Sequence, residues 1–206
     1  MHPLLCAVRS VIAAVFMTLL ACSTEPSDTE TCEGFSDWQA SPYVLPYPVG
    51  TQYLVDQGNC SPPGNGHRGG GRYASDFLMA VGTPLTVARA GTVLHVEESH
   101  VDGEIAATGF DNYVVIGHDD GTADLYGHFT HDGVDVSLGQ VVAASTSLGR
   151  SGNTGNTGNK PHLHISNHRC DPVALGNAAC PTLPVTFRNT DPNPQGLVRG
   201  RTYPAL

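Results

Sequence analysis

The chain has 206 residues, 40% of them hydrophobic, and a formal charge of −9. That balance excludes a nucleic-acid partner gripped through its phosphates, which needs clustered Lys and Arg; the 10 basic side chains here form no cluster. The length suits one domain with a sizeable core, preceded by an export segment and a tether.

Residues 1–21 read as a secretory signal peptide. Arg9 is the one basic side chain ahead of an apolar run, Val11 to Leu20, which is short for a membrane span. Leu19-Leu20-Ala21-Cys22 resembles the lipobox of bacterial lipoproteins. The resemblance implies cleavage before Cys22 and diacylation of Cys22, an anchor that holds a protein at a membrane without spanning it. The alternative is an ordinary signal peptide with an unrelated cysteine. The expected location is the bacterial cell envelope, on the periplasmic face of the outer membrane. Loss of Arg9 leaves the remainder one unit more acidic. Cys32, Cys60, Cys170 and Cys180 are an even set suited to an oxidising compartment. The expected pairs are Cys170–Cys180, which closes a short loop, and Cys32–Cys60, which pins the N-terminal segment. A structural zinc site on all four is the rival, but no C-x2-C pair is present.

Residues 22–34 are mostly Ser, Thr, Glu, Asp and Pro and read as a flexible tether. In residues 35–63, Phe35, Trp38, Tyr43, Val44, Leu45, Tyr47 and Val49 come interspersed with prolines. This predicts an extended segment packed on the domain and not a helix. Residues 64–206 form the main domain with a C-terminal extension. Pro84 to Ala88, Thr92 to Glu97, Asn112 to Gly117 and Thr122 to His128 are strand candidates separated by Arg89-Ala90-Gly91 and His118-Asp119-Asp120-Gly121 turn chemistry. No stretch sustains a 3.6-residue period with caps. Ser151 to Asn159 is a polar loop leading into His162. Leu183 to Phe187 is a last strand candidate, after which the tail is expected to fray. The class is mainly β, an antiparallel sheet or sandwich.

In Pro161-His162-Leu163-His164 a strand would place both histidines on one face. Two imidazoles there can share a metal, or be plain surface residues. His67 and Asp76 flank Gly69, Gly70 and Gly71, a run that lets a loop fold back on itself. Tyr126-Gly127-His128-Phe129 ends a strand candidate. Catalytic zinc takes three such ligands and keeps a fourth position open for water, whose pKa it lowers.

Taken in order, these signals resemble the M23 family of zinc metallopeptidases, the lysostaphin and LytM type. Besides the His67 and Asp76 pair, they are Gly82 to Val93, Asn112 to His118, Asp124 to Phe129, Gly139 to Val142, Leu148 to Gly155 and Pro161 to His164. The resemblance implies a LytM-like (duplicated-hybrid-motif) antiparallel sheet with a substrate groove and Zn2+ held by His67, Asp76 and His164. It also implies proton transfer by His128 and His162. Its implied activity is cleavage of crosslink or stem peptides of bacterial peptidoglycan by a monomer. Asn112 and Tyr126 are expected to contact substrate from their positions. Two departures stand out: eight residues, Arg68 to Ser75, separate His67 from Asp76 where the family has a shorter gap, and Ser166 stands where members carry Glu. His95 and His118 are expected to be surface or packing residues, with His100, His131 and His168 outside the site. The alternatives are a non-catalytic wall-binding regulator and a phosphoryl-carrier domain, which export argues against. Thr31 to Asn65 lies ahead of His67 and could cover the groove of a latent form.

Overall fold

In the computed structural model the described residues are 32–61, 66–103, 111–175 and 179–206. The signal peptide, Cys22 and most of the tether lie outside them. Short runs of β-branched and aromatic residues, closed by Gly, Asp and Asn turns, form strands as their composition requires. Among the described residues these are β1 (Gln52–Gln57), β2 (Ser75–Leu78), β3 (Pro84–Thr86), β4 (Gly91–Glu97), β5 (Tyr113–Gly117), β6 (Ala123–Gly127), β7 (Phe129–Val134), β8 (Val141–Val142), β9 (Ser147–Ser151), β10 (His162–His168) and β11 (Thr202–Pro204). The one α-helix among them, α1, is a single turn (Pro172–Leu175). No helix among the described residues is long and apolar enough to cross a membrane.

The class is mainly antiparallel β. A large sheet runs β11-β1-β2-β10-β6-β5-β4-β8 and a small one β3-β9-β7. Alternation divides the large sheet into two faces. Val55, Phe77 and Leu163 stand in register across β1, β2 and β10, and Ile165, Tyr126 and Val114 across β10, β6 and β5. All six are buried in one core. That core is closed by Leu85, Phe129 and Leu148 of the small sheet, by Tyr43, Leu45 and Tyr47 of the N-terminal segment, and by Phe187, Leu197 and Tyr203 of the tail. The N-terminal segment is thus extended and packed on the sheet. The opposite face of β2 and β10 carries the histidines.

The tail departs from expectation. Residues 183–187 form no strand: Thr182 makes a lone bridge to His168, and Leu183 N–H donates to Asn167 O. Pro184 removes a ladder donor from that stretch. The chain end does not fray. β11 pairs with β1, and Tyr203 is fully buried. The apolar content of Tyr203 and Ala205 closes an end of the core that the sheet leaves open.

Both expected disulfides form, Cys32–Cys60 and Cys170–Cys180, with Cα separations of 5.5 and 5.7 Å, inside the range a disulfide spans. The core becomes polar at one end. His118 Nδ1–H donates to Ala90 O at 2.9 Å, and its Nε2 stands 3.1 Å from Asp124 Oδ2. Asn167 Nδ2 donates to both Asp124 Oδ1 and the Tyr43 hydroxyl. His118 is therefore a packing residue with a buried carboxylate partner.

Candidate metal centre

Register builds the site. In the β2–β10 ladder His164 is opposite Asp76, and His162 is opposite Leu78. Directly opposed residues share a face, so Asp76 and both histidines project together, away from the core. His67 arrives from the loop ahead of β2, turned by a 3-10 turn at Gly69–Gly71. His67 Nε2 lies 3.4 Å and His164 Nδ1 2.9 Å from the same oxygen, Asp76 Oδ1. The donor atoms of all three residues fall within 4.8 Å of one another.

The other polar atom of each group is tied down. His67 Nδ1–H donates to Ala74 O at 3.2 Å. Gln57 Nε2 donates to Asp76 Oδ2 at 2.7 Å. His164 Nε2 contacts Ser166 Oγ at 3.3 Å, Ser166 Oγ contacts His168 Nε2 at 2.8 Å, and His168 Nδ1 meets Cys180 O at 2.8 Å. A carbonyl only accepts, so this chain has one direction: His168 donates to Cys180, Ser166 to His168, and His164 to Ser166. Burial holds the His168 pKa down, as a neutral acceptor requires. The Nδ1 lone pair of His164 is then left facing Asp76 Oδ1, alongside the Nε2 lone pair of His67. Three electron pairs aimed at one point are mutually repulsive until a cation or a shared proton lies between them. Tetrahedral zinc with bonds near 2.0–2.2 Å sets its ligands roughly 3.3 Å apart, close to the 3.4 and 2.9 Å that separate Asp76 Oδ1 from His67 and His164. The donor set fits zinc.

Burial pushes the His67 pKa down to about 4, against the opposing pull of Asp76. For Asp76 burial acts upward, but the surrounding imidazoles of His164, His67 and His162 outweigh it and hold the carboxyl at about 2. At neutral pH the site offers a neutral imidazole and a carboxylate without first shedding protons from either.

His128 and His162 stand beside this cluster with ring centres 4.6 Å apart. His128 Nδ1–H donates to Thr154 O at 2.8 Å and His162 Nδ1–H to Lys160 O at 2.7 Å, which leaves both Nε2 atoms as acceptors. His128 stands between β6 and β7 with φ of 69°, a left-handed conformation that a non-glycine residue adopts at a cost and that concentrates at functional sites. Burial, reinforced by His162, depresses its pKa to about 3. The 151–159 loop does more than lead into β10. Thr154 Oγ1 donates to Phe129 O and accepts from Asn112 N, which fixes the carbonyl that orients His128. Gly155 follows at φ of 74°, where a Cβ would stand 2.5 Å from that of Asp111.

Two expectations are corrected. Asn112 and Tyr126 are both fully buried and do not present side chains to a substrate. Tyr126 pairs with Ile165 on the core face, and its hydroxyl accepts from Ala88 N. Asn112 clamps loops, exchanging hydrogen bonds with the His100 backbone and donating to Phe129 O. His95 pairs with Asp171, and His131 with Asp132 at the surface. Gln57, Thr154 and His168 are the site-supporting residues the sequence reading missed, while Ser166, the second departure from the family pattern, stands behind His164 and outside the metal-facing set. Among the missed residues only His168 carried a signal, the continued period of two in H-x-H-x-S-x-H.

The family model described as peptidase family M23 matches residues 70–175, just over half of the chain; the match begins after His67. Among solved structures, the catalytic domain of the antimicrobial peptidase lysostaphin from Staphylococcus simulans is 25% identical, with 68% of this chain and 84% of that chain covered at a TM-score of 0.43. Lysostaphin from the same organism is also 25% identical, with 63% and 47% covered and a TM-score of 0.47. A zinc-containing peptidase from Vibrio cholerae is 25% identical, with 62% and 37% covered and a TM-score of 0.44. No curated protein matches the sequence.

Proposed function

The chain belongs to peptidase family M23, and we propose that it is a zinc-dependent endopeptidase that hydrolyses crosslink or stem peptides of bacterial peptidoglycan. The observation that carries this reading is the meeting of His67 Nε2, Asp76 Oδ1 and His164 Nδ1, with two further imidazoles beside them whose Nδ1–H groups are held by backbone carbonyls; His162 Nε2 lies 3.7 Å from Asp76 Oδ2. Zinc held by those three atoms supplies a Lewis acid that polarises the scissile carbonyl and acidifies a water. His128 enters neutral and takes a proton from the attacking water as the carbon–oxygen bond forms. The same proton is delivered to the leaving amine as the carbon–nitrogen bond breaks. His162, in contact with His128, donates from Nε2 when protonated and stabilises the carbonyl oxygen as charge develops on it. The proposal includes export, anchoring through a lipid on Cys22, action as a monomer and no nucleic-acid partner. The two disulfides support an oxidising compartment.

The test separates metal holding from proton transfer. His128→Ala and His162→Ala each lower kcat/KM by about 10²–10⁴-fold while the purified protein keeps its zinc. Asp76→Ala and His164→Ala lose the zinc itself. Full activity of either His128→Ala or His162→Ala contradicts the assigned roles.

A further inference from the structure

Asp76 has β10 on one side and β1 on the other. On the β1 side Leu54 pairs with Leu78 and Val55 with Phe77. An unbroken ladder would then set Asp56 opposite Asp76. Two carboxylates directly opposed on a buried face repel, and each raises the other's pKa. The ladder is interrupted there. One extra residue enters between Val55 and Gln57, and Gln57 takes the place opposite Asp76. The bulge is fastened from outside the site: Asp56 Oδ2 meets Lys160 Nζ at 2.8 Å, and Asp56 O accepts from Arg199 Nε at 2.7 Å. Four residues on from Asp56, Cys60 is bonded to Cys32, and its N–H donates to Arg72 O. β-bulges commonly re-aim a side chain beside an active site.

We propose that Gln57, supplied by a strand outside the family-matched segment, is a positioning residue of the metal centre. Its carboxamide holds Asp76 Oδ2 and leaves Oδ1 alone turned toward His67 and His164. The bulge at Asp56 is the device that places an uncharged donor there instead of a second carboxylate. Partners of this kind orient metal ligands and tune their strength. An amide suits the task because it donates to the carboxylate without adding negative charge. The inference rests on the reading that His67, Asp76 and His164 hold zinc.

The experiment uses the whole mature protein and needs no substrate. Zinc affinity is measured by competition with a chelator of known strength, and coordination by the visible spectrum of the cobalt(II)-substituted protein. Gln57→Ala is expected to weaken zinc binding about 10–100-fold and to shift the cobalt bands as Asp76 turns. Gln57→Glu is expected to weaken it at least as much. Gln52→Ala, at the exposed start of the same strand, keeps the parent affinity. Parent-like zinc binding and spectrum in Gln57→Ala overturn the inference. So does an equal loss in Gln52→Ala, which would assign the effect to the strand and not to the carboxamide. A parent protein that binds no zinc overturns the metal reading beneath it.

Discussion

Each of the three metal-facing groups has one polar atom tied and one left free, and the ties decide which. Ala74 O, Gln57 Nε2 and Ser166 Oγ fix the outer atoms of His67, Asp76 and His164. The pairing of His162 with His164 was legible because side chains in a strand alternate faces. The carbonyls that set the ring orientations were not, since where a carbonyl points depends on the path of the loop bearing it. Tyr126 shows the same limit: a tyrosine at a strand end reads equally as core or groove, and register decides. Tyr126→Phe is expected to strand Ala88 N–H in the core and to destabilise the fold by about 1–3 kcal/mol, with kcat/KM unchanged; urea denaturation and peptidase assays together check this. His118 offers a pH test. Burial disfavours its charged form, but Asp124 3.1 Å away and the Ala90 carbonyl outweigh burial and the nearby Arg89, so its pKa is raised. A raised folded pKa stabilises fully below the unfolded value of about 6.5 and progressively less as pH climbs through the folded value. The stability difference between parent and His118→Asn is therefore expected to be largest in mildly acidic buffer and to narrow at alkaline pH. A difference that widens with pH would contradict the Asp124 pairing.

The elements that the sequence concealed are those whose partners lie far along the chain. β11 has three residues, and nothing local in Thr202-Tyr203-Pro204 announces a strand. It exists because β1 offers an open edge and because Tyr203 fills the core beneath it. The Tyr203 carbonyl and hydroxyl are also engaged: Tyr47 Oη donates to Tyr203 O, and Val198 N–H donates to Tyr203 Oη. Tyr203→Ala is expected to cost about 3–5 kcal/mol, read from denaturant midpoints. By contrast the central hairpin, β5 to β6, was legible from its β-branched run and its turn. The Cys32–Cys60 bridge ties the N-terminal segment close to β1. Replacing both cysteines with serine is expected to lower stability by about 2–4 kcal/mol, and a change near zero would mean that core packing alone holds this segment.

The molecule as a whole places its one cluster of metal-competent donors, among the described residues, on the sheet face opposite the core. The five histidine and aspartate positions implied by family resemblance converge there, although His67 is separated from Asp76 by a longer loop than the family usually has. The 3-10 turn at Gly69–Gly71 takes up the added length and returns His67 to the strand. The most direct test of the account is digestion of purified peptidoglycan with the purified protein, with products identified by mass spectrometry, in parallel chelator-treated and zinc-restored samples. The account predicts new amino termini that vanish with chelator and return with zinc. A folded, zinc-loaded protein that releases no peptide termini would contradict it and would point instead to a wall-binding regulator.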